Sequence, residues 1–205
     1  MERVIVATDD GRIFGAVADN GGEAVMVEGD FFSGSDRVAA AARNIEAEIV
    51  LNIQGDEPLI RPEVIDAVVG KLAENDKALM SSACCKIESE AEFNDPNVVK
   101  VVLAVDGRAL YFSRSPIPFS ASHTGETNSR LVGIRHRHIG VYGFRAGFLQ
   151  RFAALKPSLL ERAEGLEQLR ALENGIDIYC AIEDQPFSGI DTPADISRAE
   201  KMLGG

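Results

Sequence analysis

The stretch Ile49–Ile60, reading Ile-Val-Leu-Asn-Ile-Gln-Gly-Asp-Glu-Pro-Leu-Ile, constrains this chain more than any other. A short apolar run breaks off in Gln54, Gly55, Asp56 and Glu57, and Pro58 then prevents its continuation. That is the pattern of a buried strand delivering carboxylates to the rim of a sheet. In open α/β sheets ligands bind beyond the carboxyl ends of the strands, so Asp56 stands where a ligand or metal is held. Near the other end, Gly189-Ile190-Asp191-Thr192-Pro193 presents a second carboxylate in similar style. Asp56 and Asp191 together make a metal pair, and oxygen-ligated cations usually serve phosphate chemistry. The residues alone leave a second reading open, in which Asp56 begins a turn and Asp191 or Thr192 caps a helix.

The flanking sequence reads as alternating strands and helices. Val4–Ala7 is a short strand, Ile13–Asn20 a helix closed by Gly21-Gly22, and Ala24–Val27 another strand. Ser33-Gly34-Ser35-Asp36 opens a helix to about Ile45, and Pro62 begins one that runs to about Glu74. Val98–Val105 and Ala109–Phe112 flank Asp106-Gly107, which suits a type I′ hairpin. Leu159–Glu173 carries Leu159, Ala163, Leu166, Leu169 and Leu172 on one helical stripe. Ile176–Ile182 is the final strand, Thr192-Pro193 starts the last helix, and Ser120–Ser129 is loop-like. The expectation is one α/β domain over 1–205, with antiparallel strands inserted between its two alternating ends.

From Ile134 the chain alternates, placing His136, His138, Gly140 and Tyr142 on one strand face and Arg135, Arg137, Ile139 and Val141 on the other. His138 and Tyr142 together suit a polar ligand such as a sugar, although an ordinary solvated sheet face shows the same pattern. A formal net charge of −11 argues against a nucleic-acid surface. No run of 18 apolar residues occurs, so no membrane-spanning helix is expected, and the first residues lack a signal-peptide layout. Three cysteines, Cys84, Cys85 and Cys180, are unspaced for zinc and suit a reducing cytoplasm.

Eight short motifs, in order along nearly the whole chain, carry a family resemblance. They are Val4-Ile5-Val6-Ala7-Thr8-Asp9, Ser33-Gly34-Ser35-Asp36-Arg37, Asn52-Ile53-Gln54-Gly55-Asp56-Glu57-Pro58, and Pro96-Asn97-Val98-Val99-Lys100-Val101-Val102. Tyr111-Phe112-Ser113-Arg114, Arg137-His138-Ile139-Gly140-Val141-Tyr142-Gly143, Leu166-Glu167-Gln168-Leu169-Arg170 and Gly189-Ile190-Asp191-Thr192-Pro193 complete the set. The chain resembles the 3-deoxy-manno-octulosonate (Kdo) cytidylyltransferases, also called CMP-Kdo synthetases. The Gln-Gly-Asp-Glu-Pro element is shared with related nucleotidyltransferases; the Arg-His-Ile-Gly-Val-Tyr-Gly and Leu-Glu-Gln-Leu-Arg runs point to this family in particular.

The resemblance implies a Rossmann-like nucleotidyltransferase sheet with an inserted antiparallel β arm at about 84–145 that mediates homodimerisation. It implies transfer of CMP from CTP to the anomeric hydroxyl of Kdo, with pyrophosphate released, for lipopolysaccharide biosynthesis. Asp56 and Asp191 match the family's Mg2+ ligands. Ser33, Gly34 and Arg37 match a nucleotide-side element, and Gln54 could donate to sugar or nucleotide. His138, Tyr142, Glu167 and Gln168 fall on the sugar side, with Arg114 a partner for the sugar carboxylate. On the bare pattern, Glu167 would instead pair with Arg170 on a helix surface.

The resemblance also carries a departure. The family opens with a strand and a basic loop that wraps the triphosphate, and Met1 here falls where its second βα unit starts. A first βα unit of about 30 residues is thus missing from the pattern, and the expectation is a divided sheet with unpaired edges. A mis-started or fragmentary sequence explains that start. Two further readings remain, CMP activation of a related acidic sugar and an inactive fragment that only binds sugar or dimerises.

Overall fold

The structure is a computed structural model that describes residues 2–119 and 133–184 together with Ile196, Glu200 and Lys201. Asp191, the expected last helix at Thr192-Pro193 and the Ser120–Ser129 stretch lie outside the described residues.

The chain begins with β1 (Val6–Thr8), α1 (Gly11–Asp19) and β2 (Ala24–Met26). Asp10 caps α1 by accepting from the Arg12 backbone N–H at 2.8 Å. β1 and β2 form a parallel pair of their own and do not join the larger sheet.

Next come α2 (Gly34–Ala41), β3 (Ile49–Ile53) and α3 (Pro62–Ala73). Ser33 is the N-cap of α2, as its residue type foretold, and Pro62 takes the first turn of α3. α2 stops at Ala41, shorter than the run to Ile45 that its apolar spacing suggested.

β4 (Met80–Lys86) and α4 (Glu90–Asn94) were not foreseen. Every β4 residue but the last is buried, so no polar–apolar alternation marks it as a strand. The hairpin is β5 (Lys100–Leu103) and β6 (Ala109–Ser113). Its turn is not type I′, because only Gly107 takes a positive φ, +82°, and Asp106 does not. A left-handed glycine closing a longer loop matches the strand twist equally well.

β7 (His136–Arg145) is the backbone of the larger sheet. One side pairs with β4 along almost its whole length; on the other, β5 takes His136 and Arg137 and β3 takes Val141–Arg145. β8 (Ile178–Glu183) lies parallel to β4, giving the order β6-β5-β7-β4-β8 with β3 beside β7. The hairpin therefore extends the main sheet.

The alternation read along β7 holds. Ile139 and Val141 pack with Val64 and Val68 of α3 on one face. Tyr142 and Phe144 join Phe112, Phe148, Phe152 and Leu169 on the other. Gly143 is required by a close approach: a Cβ there would sit 2.5 Å from Ser81 Oγ and 3.0 Å from Val68 Cγ1. Gly143→Ala should cost about 1–3 kcal/mol in chemical denaturation; a loss under about 0.5 kcal/mol would show that the sheet yields there.

α5 (Ala146–Ala154) follows β7 directly. The single helix expected over Leu159–Glu173 is instead two, α6 (Leu159–Glu164) and α7 (Leu169–Glu173). Gly165 ends α6 in the left-handed region at φ +66°, where its missing Cβ removes the steric penalty. A reciprocal Ser158–Glu161 capping box fixes the other end of α6.

Candidate functional site

A cleft of about 470 Å³ opens where β3, β7, the start of α2 and the α6–α7 connection meet. Each wall follows from an element already described. β3 ends at Ile53, so Gln54 and Asp56 leave the sheet at its carboxyl rim and line the cleft. The Asp56 side chain is exposed and has no hydrogen bond or ion pair among the described residues. The α2 N-terminus brings Ser33 and Gly34 to the same space. Gly34 approaches Gln54 so closely that a Cβ would lie 3.0 Å from its amide.

The break at Gly165 gives the next wall. Glu167 and Gln168 sit in a connection between two helices, not on one helix face, and both line the cleft. Glu167 does not pair with Arg170. Its carboxylate accepts from the Ser35 backbone N–H at 3.0 Å and lies 3.4 Å from Gln54 Nε2. Burial pushes its pKa upward, against the opposing pull of hydrogen bonds from Ser33 and Ser35. Gln168 is 1% exposed; its Oε1 accepts from the Tyr142 hydroxyl at 2.9 Å. Gln168 Nε2 is enclosed and has no partner among the described residues.

Arg170 is spent on architecture. It is 1% exposed and donates to Glu161 at 2.6 and 2.9 Å and to Asp36 at 2.8 and 3.1 Å, with its guanidinium 4.7 Å from the Phe152 ring centroid. A second tie runs from Asn52 Nδ2 on β3 to Ser35 Oγ at 2.9 Å. These bonds hold the start of α2 against the sheet and against α7.

His138 and Tyr142 share the cleft wall that their alternation on β7 implied. Burial, reinforced by the nearby Arg137 charge, pulls the His138 pKa down to about 3. An unfolded chain would bind a proton on this ring below about pH 6.5 that the folded chain refuses until about pH 3. Stability attributable to His138 is therefore present above that window and falls with pH across it, by up to about 1.4 kcal/mol per unit. Urea unfolding of the native chain and His138→Gln between pH 7 and 4 should show the variant losing less stability on acidification. Parallel curves would contradict a neutral buried ring.

Arg114 also lines the cleft, with Nε held by the Glu164 carbonyl at 2.9 Å and Nη1 by the Pro96 carbonyl at 3.1 Å. Lys100, fully buried, donates to the carbonyls of Asp95, Val98 and Arg114 and so fixes the main chain beneath this guanidinium. Arg37 is not on the cleft wall; it pairs with Asp9 at 2.6 Å, donates to the Val27 carbonyl at 3.0 Å and lies 5.1 Å from the Phe31 ring. Several cleft residues were not among the sequence candidates, including Phe32, 76% exposed, Pro157, Glu161, Gly165 and Arg162 at the rim. Among the described residues no group of three or more His, Cys, Asp or Glu side chains forms a ready metal cage. No helix among them is long and apolar enough to cross a membrane.

Comparison with known proteins converges on one family. Residues 1–178 match the Cytidylyltransferase family. A 3-deoxy-manno-octulosonate cytidylyltransferase from Syntrophobacter fumaroxidans is 46% identical over 99% of this chain and 80% of its own length. One from Thioalkalivibrio sulfidiphilus is 43% identical over 98% of this chain and 82% of its own. Among solved structures, a CMP:2-keto-3-deoxy-manno-octonic acid synthetase complexed with CTP superposes with a TM-score of 0.88 at 36% identity, covering 100% of this chain and 81% of that one. The inositol-1-phosphate CTP transferase from T. maritima, at 17% identity and a TM-score of 0.59 over 98% of this chain and 75% of that one, shares the fold. With the motifs and the α/β fold in agreement, this chain belongs to the 3-deoxy-manno-octulosonate cytidylyltransferase family.

Proposed function

We propose that the cleft transfers CMP from CTP to the anomeric hydroxyl of Kdo, releasing pyrophosphate and supplying an activated sugar for lipopolysaccharide. One observation carries this reading: Asp56, a carboxylate with no hydrogen bond or ion pair among the described residues, opens onto the same cleft as a wall of neutral or immobilised polar groups suited to a sugar. The names of the relatives and the CTP complex of the similar structure support the substrates.

The hydroxyl oxygen attacks the α-phosphorus and gives up its proton to solvent as the bond to the bridging oxygen breaks, and pyrophosphate carries away that electron pair. Both substrates are anionic, so their approach needs charge neutralised at the reacting centre. Asp56, a hard oxygen donor without a partner among the described residues, fits a magnesium ion, and Asp191 is its proposed companion ligand. Magnesium, when bound, would supply charge neutralisation and alignment of the phosphate. The chain's own groups do the rest. Ser33 and Gly34 border the nucleotide side beside Gln54. Gln168, its Oε1 held by the Tyr142 hydroxyl, backs the sugar side of the wall. Glu167, held by the Ser35 N–H, accepts from a sugar hydroxyl, and Arg114, its plane set by two carbonyls, faces the sugar carboxylate.

The proposal extends to a homodimer built through the β arm at 84–145, with sedimentation at micromolar concentration as its check and a monomer as the contrary result. Three buried cysteines, Cys84, Cys85 and Cys180, support a reducing cytoplasmic setting.

Pyrophosphate release from CTP, Kdo and magnesium, with this 205-residue chain beside one extended upstream in its reading frame, tests the activity. Turnover with Kdo in preference to sialic acid is expected. No turnover by either form would overturn the proposal. Glu167→Ala should raise KM for Kdo about tenfold or more while leaving KM for CTP within about twofold, as loss of a charged hydrogen bond made to one substrate only requires. Equal effects on both substrates would place Glu167 elsewhere.

A further inference from the structure

The Ser82 side chain is fully buried on β4 and is not part of the cleft wall. Its hydroxyl lies 2.8 Å from the Val141 carbonyl and 2.8 Å from His138 Nε2. This contact arises from an irregularity in the sheet. Ser82 pairs with Tyr142, but the next residue, Ala83, pairs with Ile139, so β7 carries extra residues at Gly140 and Val141. The Gly140 carbonyl turns toward β3 and accepts from the Gln54 N–H at 3.1 Å. The following carbonyl, of Val141, consequently faces β4, where the shifted register leaves it to a side chain. Bulges of this kind next to functional sites re-aim side chains.

Proton counting then settles the ring. Ser82 has one hydroxyl proton and two neighbours that could take it. The Val141 carbonyl can only accept, so the serine proton goes there. The serine lone pair must then be met by a proton on His138 Nε2. The ring is neutral in its buried setting, so its other nitrogen, Nδ1, bears a lone pair. Nδ1 has no partner among the described residues. It is also absent from the enclosed unpaired atoms, which include His136 Nδ1 and Gln168 Nε2. An acceptor is thus left on a residue that lines the cleft.

We propose that Ser82 is a positioning residue for substrate: by pairing with His138 Nε2 it holds the imidazole in the Nε2–H tautomer, leaving Nδ1 to accept a hydrogen bond from a sugar hydroxyl. This rests on the sugar side of the proposed function. Serine acts through the histidine and touches no ligand. The pairing also gives this stretch of the wall a definite polarity, with His138 accepting. A sugar hydroxyl meets that demand, because it can donate.

The tautomer is read directly from two-bond 1H–15N correlations of the histidine rings in the 205-residue chain at pH 7.5, with His138→Gln assigning the signals. The native chain should show His138 protonated at Nε2 alone. Ser82→Ala should shift that ring toward the Nδ1–H form or an exchange average, and Ser82→Thr, which keeps the hydroxyl, should restore it. In the form of the protein that turns over, Ser82→Ala should raise KM for Kdo about tenfold with KM for CTP within about twofold, and Ser82→Thr should recover most of the loss. An Nδ1–H ring in the native chain overturns the proposal, and this arm stands even if Ser82→Ala does not fold. An unchanged tautomer in folded Ser82→Ala also overturns it. A ring that switches as expected while neither form uses Kdo would instead leave the serine–histidine pairing standing and remove the sugar reading beneath it.

Discussion

Asp56→Ala should abolish magnesium-dependent pyrophosphate release, by about 10²–10³-fold or more, while leaving the unfolding midpoint within about 0.5 kcal/mol of the native value. The two halves of that expectation come from the same observation. Asp56 is exposed just beyond β3 and makes no hydrogen bond or ion pair among the described residues. No described contact is lost with its carboxylate, so the cost is expected to fall on chemistry. A carboxylate whose only work is to hold a cation should also leave its mark on the metal requirement. Asp56→Asn should therefore need a higher magnesium concentration for whatever turnover remains. Full activity in Asp56→Ala would remove the metal assignment; a collapse in stability would show that the turn after β3 needs the charge.

Arg170→Ala should do the reverse, costing about 3–5 kcal/mol of stability because it strands two buried carboxylates. Asp36 and Glu161 have side chains only 12% and 9% exposed, and Arg170 is the cation that bonds both. The ion triad as a set need not be strongly stabilising, since taking three charges out of water is expensive. Breaking it is costly all the same. Because Asp36 sits in the first turn of α2, its release should also disturb the Ser35 N–H that Glu167 uses. Urea unfolding measures the first effect and KM for Kdo the second. A loss below about 1 kcal/mol would mean that water or a rearranged partner replaces the guanidinium.

Much of the site was legible because it sits where local rules are strong. β3 ends in a polar turn, Ser33 has the residue type of a cap, and the alternation on β7 put His138 and Tyr142 together. The failures share a physical origin, in that tertiary context decided them. β4 is covered on both faces, so its period-2 signal vanished, and Ser82 with it. The stripe Leu159, Ala163, Leu166, Leu169, Leu172 is genuine helical spacing, yet Leu159 is 82% exposed and Gly165 turns the chain between two helices. A glycine inside a helical pattern can be tolerated or can end the helix, and only packing chooses. The bare pattern offered Arg170 as a surface partner of Glu167, because burial of a charge is invisible until both of its carboxylates are placed. Arg37 shares a motif with Ser33 and Gly34, but neighbouring positions on α2 face different ways, and it turns toward Asp9.

The break at Gly165 has an evolutionary reading. Glu167 and Gln168 belong to a connection clamped at both ends, by the Ser158–Glu161 capping box and by the buried Arg170. Rim positions such as Arg162 and Gly165 lie between those clamps and make no ladder bonds with the sheet. If the proposed function holds, changes there retune which acidic sugar is accepted while the rim at Asp56 stays as it is. On the proposed function, such a protein can drift in substrate preference without crossing a valley of lost foldability, because these rim residues are not among those that hold the sheet together.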